Sequence, residues 1–117
     1  MRPTILVVED DLALRRLYRD ALSLAGFDVC EAGNGYEALQ CLDTHHIELV
    51  VLDLMLPLFS GHVVRAEIVA QAPRIPIIVV TGSAEPVPNV TQVLRKPLNP
   101  DELVDAVKRN LRRAASA

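Results

Sequence analysis

No stretch of this 117-residue chain approaches the roughly 18 to 20 uninterrupted apolar residues that a membrane span needs, although half of its residues are hydrophobic. The first residues, Met1-Arg2-Pro3-Thr4, run into a strand-like segment without a signal peptide's small-residue cleavage site. A cytoplasmic protein with no membrane partner is therefore expected. An excess of positive charge is also missing. The formal net charge is −3, which speaks against a domain that grips nucleic acid through its phosphates. Arg109, Arg112 and Arg113 do cluster, but at a helix C-terminus, where they suit the negative end of the helix dipole. Cysteine is scarce. Cys30 and Cys41 show neither metal-ligand spacing nor a disulfide framework, and reduced, buried or half-buried thiols are expected. Repeats, low-complexity segments and an interdomain linker are absent, so residues 1–117 read as one domain, with only Ala114–Ala117 resembling the start of a linker.

What is present is an alternation of strand-like and helix-like patterns, the signature of βαβ units and a parallel sheet. Strands are expected at Thr4–Val8, Phe27–Glu31, Leu49–Leu52, Ile77–Val80 and Val93–Arg95, several as continuous apolar runs suited to burial on both faces. Helical spacing of Leu14, Leu17, Tyr18, Ala21, Leu22 and Ala25 predicts a helix over Leu12–Ala25, stopped by Gly26. Further helices are expected around Tyr36–Thr44, from Gly61 to about Gln71, and from Pro100, with Asn99 as its cap and Leu103, Val104, Val107 and Leu111 on its core face. One segment breaks the rhythm. Gly82–Thr91 contains Pro86 and Pro88, each of which removes a helical donor and clashes with the preceding turn. The crossover after the fourth strand is therefore expected to be extended or at most one helical turn, and the fold's fourth helix missing or vestigial.

Four strands end in chemistry. The first runs into Glu9-Asp10-Asp11, the third ends in Asp53, the fourth in Thr81, and the last delivers Lys96. In open α/β sheets the ligand crevice lies beyond these carboxyl ends. Glu9, Asp10 and Asp53 placed together would repel one another unless a cation neutralised them. All-oxygen ligands of this kind suit Mg²⁺, which commonly uses one or two carboxylates, waters and a phosphate. A carboxylate beside such an ion can attack phosphorus and form an aspartyl-phosphate, whose oxygens would find a point charge in Lys96 and a hydroxyl donor in Thr81. Asp11 is read as a helix cap, and the adjacent His45 and His46 as a solvated pair at the end of the second helix in preference to a metal site.

The set Ile5-Leu6-Val7-Val8-Glu9-Asp10, Val51-Leu52-Asp53, Pro57 with Gly61, Val80-Thr81 and Lys96-Pro97 resembles the receiver domain of bacterial two-component response regulators along the whole chain. The resemblance implies a flavodoxin-like, doubly wound five-stranded parallel sheet of order 2-1-3-4-5. It also implies Asp53 as phosphoacceptor, Asp10 as a direct ligand of Mg²⁺ or Mn²⁺, Glu9 as a ligand through water and the Met55 backbone carbonyl as a further ligand. Thr81 and Lys96 would be the switch hydroxyl and the phosphate-binding lysine, with Met55 and Ser83 facing the phosphoryl group. The implied phosphodonor is a sensor histidine kinase or phosphotransfer protein, so none of the chain's own histidines is needed. The resemblance implies a signalling phosphoacceptor that catalyses its own phosphotransfer and slow dephosphorylation, not an enzyme acting on a substrate. Where the family usually carries Tyr or Phe, three residues before the lysine, this chain has Val93. With the crossover helix short or missing, an apolar flank on the fourth and fifth strands is a candidate surface for a homodimer or a downstream protein.

Other readings fail on what is missing. A haloacid-dehalogenase-type phosphohydrolase needs a second aspartate where Met55 stands. A flavin or nucleotide binder needs a Gly- or Ser/Thr-rich phosphate loop where Glu9-Asp10-Asp11 would repel one. An interaction domain that had abandoned phosphorylation would have no use for the complete set of acids, threonine and lysine.

Overall fold

The computed structural model describes residues 2–116, so Met1 and Ala117, the outermost residues of the two terminal segments read above, lie outside the described residues. The chain alternates β1 (Thr4–Val8), α1 (Leu12–Leu24), β2 (Asp28–Ala32), α2 (Gly35–Thr44), β3 (Ile47–Asp53), α3 (Gly61–Gln71), β4 (Ile77–Thr81), β5 (Gln92–Arg95) and α4 (Pro100–Ser116). All strand pairs are parallel, in the order β2-β1-β3-β4-β5. This is the expected doubly wound α/β sheet.

Alternation along the strands divides the core in two. Leu6, Val8, Val50, Leu52 and Val79 face α2 and α3, where Ala38, Val64 and Ile68 pack on them. Ile5, Val7, Leu49, Val51, Ile78 and Val80 face α1 and α4, against Tyr18, Leu22, Leu103, Ala106 and Val107. Each fully buried aliphatic side chain contributes roughly 1.5–3 kcal/mol, so the two layers hold the sheet rigid between them. Side-chain caps fix where the helices start. Asp11 Oδ1 accepts from Leu14 N at 3.0 Å, as expected of a cap, and Asn34 and Ser60 serve α2 and α3 in the same way. At α4, Asn99 Oδ1 accepts from Asp101 N at 2.9 Å. The final residues differ from the sequence reading: α4 continues through Ser116, so Ala114–Ser116 are helical.

No helix joins β4 to β5. The segment between them runs in turns and extended backbone, and Val87 and Val90 pack with Val93 onto the α2/α3 side of the core. That side is thus partly covered by the crossover itself. Arg65 Nη1 of α3 donates to Pro88 O at 3.1 Å, and Arg95 donates to Ser83 O, pinning the segment at both ends. β5 itself remains half-buried.

The cysteines correct the sequence reading. Cys30 of β2 and Cys41 of α2 are joined by a disulfide. Their 11-residue separation carries no recognisable pattern, but α2 packs back on the edge strand and brings their Cα atoms to 6.6 Å, within reach of a bridge.

Candidate functional site

Register brings the site residues together. Val8 pairs with Leu52, Asp53 with Val80, and Thr81 with Arg95. Neighbouring parallel strands therefore end at one level, and the next residues, Glu9 and Lys96, flank Asp53 and Thr81. Glu9 and Asp53 are only 2% and 3% exposed, and Thr81 is equally buried. Asp10 lies exposed at the rim of a cleft of about 600 Å³ lined also by Asp11, Met55, Pro57 and Ser60, with room for a hydrated cation and a phosphoryl group.

Gly61 shapes the far wall. A Cβ there would sit 2.3 Å from Leu54 Cα and 2.7 Å from Asp53 O, so only glycine lets α3 start this close to the end of β3. Gly61 N donates to Leu54 O at 2.9 Å and locks that approach. Asp53 Oδ1 in turn accepts from Met55 N at 3.0 Å, which fixes the carboxylate's orientation. Thr81 Oγ1 accepts from Ser83 N at 3.1 Å, and Lys96 N donates to Thr81 O at 3.0 Å.

Lys96 is the hub. Its Nζ donates to Glu9 Oε1 at 3.0 Å and to Asp53 Oδ2 at 3.1 Å. Glu9 Oε2 also accepts from Asp11 N at 3.2 Å. Burial, followed by the hydrogen bond to Asp53, pushes the Glu9 carboxyl up to about 7 even though Lys96 opposes the shift. Lys96 is pushed up as well: burial pulls its ammonium down, but hydrogen bonds to Glu9 and then Asp53 outweigh it.

Ligand oxygens of Glu9, Asp10 and Asp53 lie within 4.8 Å of one another. With all three carboxylates ionised, one ammonium leaves two unbalanced negative charges, the charge that one Mg²⁺ or Mn²⁺ would neutralise. An all-oxygen donor set at the edge of solvent fits a hard divalent ion of that size. The sequence reading thus named six residues that do converge: Glu9, Asp10, Asp53, Met55, Thr81 and Lys96. It missed the direct Lys96–Glu9 contact and the Ser83 N–H that holds Thr81. It also missed Arg15, whose Nη1 donates to Glu9 O at 3.0 Å and whose Nε pairs with Glu31 at 3.1 Å.

The raised Glu9 makes metal-free stability pH-dependent. Its folded value lies above the unfolded one, so its stabilising contribution is complete below about pH 4.5 and is lost as pH rises through about 7. The span corresponds to up to about 3 kcal/mol. Urea unfolding in EDTA between pH 5 and 8 should show falling stability in the wild type and a flatter profile in Glu9→Gln. Identical profiles would remove Glu9 as the titrating group.

Comparison with known proteins agrees with the fold. The family model described as "Response regulator receiver domain" matches residues 5–108. The CpxR homolog of Haemophilus influenzae, a transcriptional regulatory protein, is 38% identical over 119 residues, which cover 96% of this chain and 52% of that protein. The probable transcriptional regulator ycf27 of Porphyridium aerugineum is 35% identical over 120 residues, covering 97% and 50% respectively. The chain spans about half the length of these curated relatives. Among solved structures, a receiver domain protein described as CheY-like from Methanospirillum hungatei superposes with a TM-score of 0.92 at 25% identity, covering 99% of this chain and 98% of that one. The signal receiver domain of a LuxO repressor protein from Vibrio parahaemolyticus gives 0.89 at 30% identity, covering 98% and 94%. Among the described residues, no helix is long and apolar enough to cross a membrane.

Proposed function

The chain belongs to the response regulator receiver domain family of two-component signalling, and from that premise we propose that Asp53 accepts a phosphoryl group from a phosphohistidine partner. The observation that carries the reading is the buried Asp53 carboxylate, oriented by Met55 N–H and paired with Lys96 beside two further acids. In the transfer, an Asp53 oxygen forms the new bond to phosphorus while the P–N bond to the donor imidazole breaks, its electron pair staying on nitrogen. Glu9, Asp10, Asp53 and the Met55 carbonyl would hold Mg²⁺ or Mn²⁺, which when bound neutralises charge on the phosphoryl oxygens.

The chain's own groups supply the rest. Lys96 leaves its shared position between Glu9 and Asp53 and follows the new negative charge. The Thr81 hydroxyl turns from accepting the Ser83 N–H to donating toward a phosphoryl oxygen. Because Lys96 N is bonded to Thr81 O, and Arg95 to Ser83 O, this movement is handed to β5 and the crossover without an aromatic side chain at Val93. The half-buried β5 edge and its crossover are the surface that a downstream protein or a second copy would read. We take residues 1–117 as one receiver domain, acting as a signalling phosphoacceptor and not as an enzyme with a separate substrate. Relatives named as transcriptional regulators are about twice as long, so any DNA binding would belong to sequence beyond this domain.

Acetyl phosphate with Mg²⁺, followed by intact mass, tests the acceptor chemistry. One labelled site per chain is expected, and no label in EDTA. Charge relief gives a second prediction. Saturating Mg²⁺ should raise the melting midpoint by about 2–5 °C, and Asp10→Asn should raise the metal-free midpoint by a similar amount while removing most of the Mg²⁺ response. A lowered metal-free midpoint for Asp10→Asn would show that the acids are not crowded.

A further inference from the structure

A second cluster of ligating groups lies far from Asp53, at the outer edge of the sheet. β2 is an edge strand and carries half-buried Cys30. Cys41 stands in the last turn of α2, and His45 follows as that helix's C-cap, its N–H donating to Cys41 O at 3.0 Å. Cys41 and His45 are thus four residues apart across the end of α2, with His45 already in extended backbone beyond the last turn. The sulfur of Cys30 lies 3.8 Å from His45 Nδ1, and the three ligand atoms fall within 4.8 Å of one another.

We infer that Cys30, Cys41 and His45 form a soft-metal site, of the Cys₂His kind that suits Zn²⁺, which the reduced protein occupies and the disulfide abolishes. Sulfur and nitrogen ligands on one tetrahedral zinc lie about 3.5 Å apart, close to the separation already present between Cys30 Sγ and His45 Nδ1. Two sulfurs on one zinc lie about 3.8 Å apart, a separation open to the two side chains once the bridge is reduced. The exposed imidazole leaves the fourth position open to water.

The exchange balances. A dithiol reductant transfers two hydrogen atoms, the Sγ–Sγ bond breaks, two thiols form, and the reductant becomes a disulfide. Zn²⁺ then displaces both thiol protons to solvent, giving a neutral Cys₂His–zinc unit. One further proton must move. Thr44 Oγ1 donates to Gln40 O at 2.8 Å and lies 2.9 Å from His45 Nδ1, so in the metal-free protein Nδ1 carries the hydrogen. Ligation through Nδ1 shifts that proton to Nε2, a modest cost in affinity that the Thr44 contact sets. This site is independent of the phosphoacceptor reading, since none of its residues lines the Asp53 cleft.

Cobalt is the probe, because thiolate ligation gives charge-transfer absorption that carboxylates do not. Protein with the bridge reduced by a phosphine, and with excess Mg²⁺ occupying the acidic cleft, is titrated with Co²⁺ and then with Zn²⁺. The expected result is one equivalent of thiolate-bound Co²⁺ with tetrahedral ligand-field bands, displaced by Zn²⁺. Oxidised protein should show no such bands, a comparison that needs no substitution. Cys41→Ser should abolish them, and His45→Ala should weaken Co²⁺ binding on the order of tenfold or more. Reduced wild-type protein without charge-transfer bands, or bands that survive re-oxidation of the bridge, would overturn the inference.

Discussion

Asp53→Asn is expected to reduce acid-labile phosphate on the protein to background, with the fold intact. The substitution is nearly isosteric, and the amide oxygen can still accept from Met55 N, which the native Oδ1 does at 3.0 Å. What disappears is the nucleophile. An amide oxygen does not form a stable acyl-phosphate, and no other carboxylate combines burial and the lysine contact with the Met55 N–H that orients Asp53. Glu9 shares the burial and Lys96, but burial pushes its carboxyl up to about 7 in the absence of metal, and its Oε2 is held by Asp11 N and not by Met55 N. Asp10 stands at the exposed rim. The readout is intact mass after acetyl phosphate and Mg²⁺, with Asp10→Asn and Glu9→Gln alongside. Label persisting on Asp53→Asn would transfer the acceptor role to one of those two residues. Loss of label in Asp53→Asn and Glu9→Gln but not in Asp10→Asn would mean that the metal shell, not the acceptor, had been misassigned.

Much of this was legible before any coordinates. Continuous apolar runs at Ile5–Val8 and Ile77–Val80 declare strands buried on both faces. Paired prolines at 86 and 88 declare a crossover without a helix, and the structure has none there. The site was legible because each of its groups ends a strand or lies within two residues of a strand's end, and parallel strands in register end together. Elsewhere the readings depended on three-dimensional contacts that no local pattern encodes. The Cys30–Cys41 bridge joins an edge strand to the helix that follows it, and only the packing of α2 brings the sulfurs together. The Cys41 to His45 spacing was there to be read, but its third ligand comes from β2. Lys96 was expected to serve the phosphoryl group. Its tie to Glu9, 87 positions away in sequence, depends on β1 and β5 both ending beside β3 and β4. The Leu58 backbone, at φ 71°, likewise belongs to the loop that carries the chain from Asp53 to Gly61 and has no side-chain signature.

That same tie gives the second large effect. Lys96→Ala should destabilise the metal-free protein by about 2–3 kcal/mol at pH 8, because it leaves two buried carboxylates facing each other with no cation between them. The estimate stays at the lower end for a buried pair because the lysine side chain is 28% exposed and water reaches its ammonium. The loss should shrink at pH 5. There Glu9, already pushed up to about 7 with Lys96 present, is protonated and can donate to Asp53, so the missing ammonium matters less. The sign follows from that titration: the penalty grows as pH rises through Glu9's folded value and is smallest below it. Mg²⁺ should recover much of the stability at pH 8, since it would balance the same charges from the other side of the cleft. Urea unfolding at both pH values, with EDTA or with Mg²⁺, reads all four conditions. A pH-independent loss that Mg²⁺ leaves unchanged would reduce Lys96 to a packing residue. Phosphorylation of the wild type is expected to slow amide exchange at Gly82–Thr91; recovery of stability by Mg²⁺ in Lys96→Ala without that slowing would separate its two duties: balancing charge before phosphorylation, and carrying the signal to β5 afterwards.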